Sequence, residues 1–188
     1  MQEKCKSGIG CGAMTNERKP MTLHYRKATL HDLEEINNLV THAIDVLIRN
    51  GILQWDEIYP TREDFRIDIN NDQLHVGLVG EQIAVVYALN QECEEEYQNG
   101  RWKYPDIPFY IVHRLCVHPA FQNQGIGRQT LLHIESELLK NNIHAIRLDV
   151  FSNNPFSLKL YDSLDYSRVG HADWRKGRFY LMEKYLLK

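Results

Sequence analysis

No run of about 18 consecutive apolar residues occurs in this 188-residue chain, so no segment of it reads as a membrane span. An excess of positive charge is lacking too. The formal net charge is −3, which argues against nucleic acid or an anionic membrane as the main partner, since both select a basic face. Cysteine is scarce: Cys5, Cys11, Cys93 and Cys116 are scattered without metal-ligand spacing, and a chain of this size needs no disulfide staple. No metal site is therefore expected, and a reducing, cytoplasmic setting fits. Met1 to Pro20 lacks the apolar core of a secretory signal and is rich in Lys, Glu, Gly and Ser, so residues 1–20 read as a flexible arm. Cys5 and Cys11 within it have no histidine partners for a metal or redox role. Residues 21–188 are near the size at which one core buries roughly 70% of the unfolded chain's surface, so a single domain suffices.

What the chain does contain alternates between strand and helix signals. Thr22 to Lys27 reads as a strand; Thr29 and Asp32 form a capping box ahead of an amphipathic helix that carries Ile36, Leu39, Val40, Ala43, Ile44 and Leu47 and stops at Asn50-Gly51. A polar-aromatic connection with Trp55, Glu57 and Tyr59 precedes a second capping box, Thr61 with Asp64. Gln73 to Val79 and Gln82 to Leu89 form a hairpin about Gly80-Glu81. Gln91 to Pro108, with Glu92, Glu94, Glu95 and Glu96, reads as a solvated loop; the sharper alternative is an acidic cluster that attracts an amine. Phe109 to Val117 is a buried strand stopped by His118-Pro119, and a long helix follows to Lys140. Ile143 to Phe151 forms the next strand, which a right-handed crossover sets parallel to the preceding one. Ser167 to Ala172 and Arg178 to Leu186 close the chain as a hairpin about Lys176-Gly177.

The most informative join is Gln122-Asn123-Gln124-Gly125-Ile126-Gly127, where two glycines stand at a helix entrance. Free N–H groups and the positive end of the helix dipole suit an anion there. A dinucleotide loop wants a third glycine where Thr130 stands, and a P-loop wants Gly-Lys-Ser/Thr, which is absent. A glycine-eased turn with no ligand is the plain structural reading.

Val117-His118-Pro119 followed by Gln122-x-x-Gly125-x-Gly127 resembles the acyl-CoA pyrophosphate loop of the GNAT superfamily of N-acyltransferases, whose pattern is Gln/Arg-x-x-Gly-x-Gly/Ala. Asn154-Pro155-Phe156-Ser157-Leu158-Lys159-Leu160-Tyr161, continuing to Tyr166, is similar to the family's Asn-x-x-Ala-x-x-Leu/Phe-Tyr-x-x-x-Gly-Phe, with Ser157, Asp165 and Tyr166 departing from it. The resemblance implies an α/β (α+β) domain with a mixed, mostly antiparallel sheet of about seven strands, one parallel β-α-β crossover and helices on both faces. It implies acetyl-CoA as co-substrate, held by the Leu115, Cys116 and Val117 strand edge, by Gln122, Asn123, Gln124, Gly125, Ile126, Gly127, Arg128 and Gln129, and by Asn154. It raises Trp55, Glu57 and Tyr59 as acceptor contacts, and a backbone N–H near Cys116 or Val117 as the group that meets the thioester oxygen.

The implied activity is direct transfer of acetyl from acetyl-CoA to an amine within a ternary complex. Tyr161 is the candidate acid for the departing thiolate, because a phenol stays protonated at neutral pH. A glutamate that some relatives carry early in the central strand is replaced by Ile111, which leaves His113, on the same strand face, as the candidate base, with Glu57 and Asp149 as alternatives. The expected partner is a small-molecule amine or a peptide or protein amino group, with homodimerisation left open. A non-catalytic acyl-CoA sensor on the same fold is the alternative from another class, and a nucleotide-phosphate-binding protein is a third.

Overall fold

The computed structural model describes residues 22–187; the arm assigned to 1–20, with Cys5 and Cys11, lies outside the described residues. Seven strands form one sheet in the order β1-β2-β3-β4-β5-β7-β6. They are β1 (His24–Lys27), β2 (Leu74–Val79), β3 (Gln82–Asn90), β4 (Phe109–Val117), β5 (Ala145–Phe151), β6 (Ser167–Trp174) and β7 (Gly177–Tyr185). Only β4 and β5 pair in parallel, as a crossover through one helix requires; the remaining pairs are antiparallel.

Four helices cover the sheet: α1 (Leu33–Arg49), α2 (Arg62–Asn70), α3 (Ile126–Lys140) and α4 (Pro155–Asp162). The first two pack on one face, where Ile36, Leu39 and Val40 of α1 and Phe65 of α2 meet Leu74, Val76 and Val86 of the sheet. The other two pack on the opposite face, where Leu131, Ile134 and Leu138 of α3 and Tyr161 of α4 meet Ile146, Leu148 and Val150 of β5. Each fully buried side chain of this kind contributes about 1.5–3 kcal/mol. Both capping boxes form: Asp32 Oδ2 accepts from the Thr29 N–H at 2.7 Å, and Asp64 Oδ2 accepts from the Thr61 N–H at 2.7 Å. None of the described helices is long and apolar enough to cross a membrane.

Three features of β4 and its surroundings build the site. Val86 faces Cys116 and Ala88 faces His113, so Arg114 and Leu115 together oppose Tyr87. This is a β-bulge, with Arg114 at φ 53°. The bulge breaks the period-two alternation, so Ile111, His113 and Cys116 share the α1/α2 face, while Val112 and Leu115 pack with α3 and α4. Next, the β4–β5 register ends at Val112 with Leu148, although β4 continues to Val117 and β5 to Phe151. The two strands therefore splay apart beyond that pair. Finally, the acidic segment is no plain solvated loop: Glu95–Asn99 forms a helical turn that buries Tyr97 against Ile111, Val169, Ala172 and Leu181. An aromatic anchor inside a charge run overrides the charge pattern, because burying the ring outweighs solvating its neighbours.

Candidate active site

At the entrance of α3 the two glycines do different work. Gly125 is the N-cap, with φ 81° and ψ 4°, and makes no side-chain cap; a left-handed residue there selects glycine. A Cβ on Gly127 would lie 3.2 Å from Leu160 Cδ2, so its lack of a side chain lets α3 approach α4 closely. The N–H groups of Ile126, Gly127 and Arg128 have no intrahelical acceptor, because they open the helix. Side chains brace the turn around them. Gln122 Nε2 donates to the Val117 carbonyl at 3.2 Å, Gln124 Nε2 to the Ala120 carbonyl at 2.8 Å, and Arg128 Nη1 reaches Ser163 at 3.3 Å. Asn123 takes φ 60°, and the Ile126 side chain is buried, so only its backbone faces the loop. Gln129 N–H bonds back to the Gly125 carbonyl at 2.9 Å. Thr130, where a dinucleotide loop wants glycine, is fully buried and donates to the Ile126 carbonyl at 2.9 Å. A set of open N–H groups at the positive end of a 15-residue helix suits an anion.

The splay of β4 and β5 opens into a cavity of about 640 Å³. His113, Arg114 and Leu115 of β4, Asp149, Val150 and Phe151 of β5, and Ser157 and Tyr161 of α4 line it. Its mouth is built from three connections: Gln54, Trp55 and Tyr59 before α2, Glu92, Glu94 and Glu96 after β3, and Trp174, Arg175 and Lys176 at the β6–β7 turn. These connections are tied to the frame. Arg114 holds Asp68 of α2 through two nitrogens, at 3.0 and 2.6 Å, and donates to Tyr59 Oη at 2.8 Å. Asp56 accepts from Arg175 at 2.7 Å and from Lys176 at 3.1 Å, contacts that hold its carboxyl well below the usual range. The cations of the mouth are thus paired, and Glu92, Glu94 and Glu96 leave an excess of negative charge facing the cavity.

Titration separates the candidate acids and bases. Burial pushes the Tyr161 phenol up, with the Asp149 charge adding to the effect, so it stays protonated across the physiological range. His113 moves down to about 4, chiefly through burial and then through the adjacent Arg114 cation, and its Nε2 is buried without a hydrogen-bond partner. A histidine in that state is neutral but weakly basic, which departs from the ordinary imidazole basicity expected of it. Asp149 moves the other way. Burial raises it to about 6, against the opposing pull of the Tyr97 hydrogen bond and the Arg114 charge. An anionic carboxylate with that affinity for a proton is the stronger base of the two near neutrality.

Of the residues expected at the site, His113, Leu115, Tyr161, Trp55 and Tyr59 line the cavity together. Glu57 does not: it is exposed and absent from the lining, in the tight turn that Asp56 and Tyr59 close. Cys116 carries its side chain into the α1 core, where burial pushes the thiol up to about 12, so only its backbone is available at the strand edge. Asn154 is 3% exposed and caps α4, accepting from the Ser157 N–H at 3.1 Å and donating to Gln54 Oε1 at 2.7 Å. Both ends of its amide have partners within the chain. Residue-level reading overlooked Tyr97, Arg114 and Asp68. A usable signal existed in Arg147 and Asp149, two polar residues at alternate positions of an otherwise apolar strand.

The family model described as acetyltransferase (GNAT) family matches residues 97–166. A [ribosomal protein bS18]-alanine N-acetyltransferase of Escherichia coli K12 is 36% identical over 55 residues, which cover 29% of this chain and 37% of that protein. The chain thus matches well under half the length of that relative. Among solved structures, a GNAT-family acetyltransferase from Streptococcus agalactiae superposes with a TM-score of 0.79 at 23% identity, covering 88% of this chain and 96% of the other. The PaiA N-acetyltransferase of Thermoplasma acidophilum, solved in complex with coenzyme A, gives 0.65 at 18% identity, covering 88% and 99%. Residues 97–166 thus match the GNAT family model, and the fold over most of the chain is that of the solved GNAT-family acetyltransferases.

Proposed function

We propose that the protein transfers an acetyl group from acetyl-CoA to an amine, both held at once on the two sides of the β4–β5 splay. The observation that carries this reading is the connection between two features: β4, which lines the cavity holding Tyr161 and Asp149, runs on to the anion-receptive entrance of α3, where Gly127 lies against Leu160 of α4. The residues fit acetyl-CoA. The open N–H groups of Ile126 to Arg128 match a pyrophosphate, and the unpaired edge of β4 from His113 to Val117 offers backbone partners for an extended amide-bearing arm. When bound, acetyl-CoA supplies the acetyl group as an activated thioester.

The remaining work falls to the chain. Asp149, anionic above about pH 6, takes the proton that an incoming ammonium must lose, directly or through a water. His113, the base expected from the strand pattern, instead presents a neutral ring beside it. A backbone N–H that follows the bulge, at Cys116 or Val117, meets the carbonyl oxygen as negative charge develops on it. Tyr161 keeps its proton until it is given to the sulfur of the leaving thiolate, and the second proton that the acylated nitrogen sheds restores the phenol. The acceptor is a cationic amine, a small molecule or the amino group of a peptide, drawn in by Glu92, Glu94 and Glu96 at the mouth and seated among Trp55, Tyr59 and Trp174.

Thiol release from acetyl-CoA, measured across a panel of monoamines, polyamines, amino acids and short peptides with free N-termini, tests the reading. Turnover with at least one amine is expected. Tight acetyl-CoA binding with no release on any amine would replace it with the non-catalytic sensor.

A further inference from the structure

Tyr97 stands outside the residues that the acetyl-transfer chemistry itself requires, yet it is buried to 4% exposure, and its phenol donates to Asp149 Oδ2 at 2.8 Å. Its seat is fixed from several directions. Trp102 stacks on the ring at 5.7 Å and donates its indole N–H to the Tyr97 carbonyl at 2.9 Å. The following backbone is pinned by the Arg101 N–H on the Val169 carbonyl at 2.8 Å and by the Lys103 N–H on Glu183 Oε2 at 2.8 Å. Gly170 lets this segment lie against β6: a Cβ there would come within 2.7 Å of the Asn99 carbonyl oxygen. A rigid clamp of this kind costs the chain conformational entropy, and its polar output is the one hydrogen bond to Asp149.

We propose that Tyr97 is the positioning residue of the acetyl-transfer base, fixing which oxygen of Asp149 faces the amine and where on the pH scale that carboxylate gains its proton. The inference rests on the assignment of Asp149 as base. The phenol is itself pushed up by burial and by Asp149, so it remains a donor at every working pH. It engages Oδ2, the one side-chain hydrogen bond that Asp149 makes among the described residues. Donation to a carboxylate favours the charged form, so this bond opposes the burial that would otherwise keep Asp149 protonated near neutrality. The other charged or titratable groups that act on Asp149 are Arg114 of β4, which lowers it, and Glu94, which raises it; Tyr161 of α4 and Tyr59 feel its charge in turn. From β7 it is faced by apolar Leu181. Tyr97 is therefore its sole neutral hydrogen-bond donor among the described side chains.

The experiment is a carbonyl-carbon NMR titration of protein labelled at the aspartate carboxyl, with the Asp149 signal assigned by its loss in Asp149→Asn. Wild type should titrate near pH 6, and Tyr97→Phe, which keeps the ring and its stacking, should titrate about one unit higher. Replacing Tyr97 by 3-fluorotyrosine, a stronger donor of the same shape, should move the signal down, and this arm stands even where Tyr97→Phe fails to fold. An unmoved Asp149 titration in both proteins overturns the inference. In thiol-release assays with an amine drawn from the panel, the acid limb of kcat/KM for Tyr97→Phe should follow the NMR shift, and the alkaline plateau should fall as the carboxylate loses its fixed orientation. A uniform loss of rate at all pH values, with the limb fixed, would instead make Tyr97 a packing residue. If Asp149→Asn keeps full rate, the base assignment fails separately, since the NMR result does not depend on turnover.

Discussion

Replacing Asp149 by Asn should make the protein more stable and less active, and the stability gain should depend on pH with a sign that burial dictates. In the folded protein this carboxyl is raised from 3.8 to about 6. At 1.36 kcal/mol per pH unit, keeping it ionised above pH 6 costs the fold at most about 3 kcal/mol. Asn is nearly isosteric, and its Oδ1 still accepts from the Tyr97 phenol, so the substitution removes that cost without opening a cavity or orphaning the donor. Below pH 3.8 the carboxyl is neutral in both folded and unfolded chains, and the variant gains nothing by this route. Between pH 3.8 and 6 the unfolded chain releases the proton while the folded one retains it, so wild-type stability falls as pH rises. Above pH 6 the full cost is present. Thermal melts of the two proteins from pH 4 to 8 should therefore diverge with rising pH, reaching about 1–3 kcal/mol, or several degrees in Tm for a domain of this size. The rate with any working amine should meanwhile fall by about 10²-fold or more. A stability difference that is constant with pH, or that favours wild type at pH 8, would refute the view that Asp149 is a buried, costly base.

Three further outcomes are expected. Gly125→Val should weaken CoA binding tenfold or more, about 1.4 kcal/mol, because φ 81° is closed to a β-branched residue and the turn that exposes the N–H groups must rearrange; calorimetry with unchanged affinity in a folded variant would remove the loop from the site. Arg128→Ala should flatten the salt dependence of CoA binding, since Arg128 is exposed beside the loop and bonded within the chain only to Ser163; an unchanged slope marks it as a helix-bracing residue. Tyr161→Phe should keep the ring that packs on Tyr166 at 5.7 Å, and with it fold and CoA affinity, while kcat falls about 10²-fold; near-normal kcat would leave thiolate protonation to water.

The sequence by itself determined the elements and the loop. Hydrophobic periodicity set the strand from Phe109 to Val117 and the helices beside it, the Thr29–Asp32 and Thr61–Asp64 pairs set two helix starts, and the glycines at 125 and 127 set the entrance of α3, because each of these is a local preference written within a few residues. The one parallel pair was legible in the strand–helix–strand spacing from Phe109 to Phe151, and the family resemblance implied about seven strands, but the order of the strands in the sheet came only from the structure. Only the tertiary structure decided how the cavity is furnished. Asp149 meets Tyr97 across 52 positions, Asp68 meets Arg114 across 46 and Asp56 meets Arg175 across 119, and no local pattern encodes such a meeting. The bulge at Arg114 altered the strand alternation on which side-chain direction was read, and a bulge is fixed by pairing with β3, not by β4 alone. Burial then reversed the ranking of bases, lowering His113 and raising Asp149, because the direction of each shift depends on how much water a folded environment removes and which charges it leaves nearby.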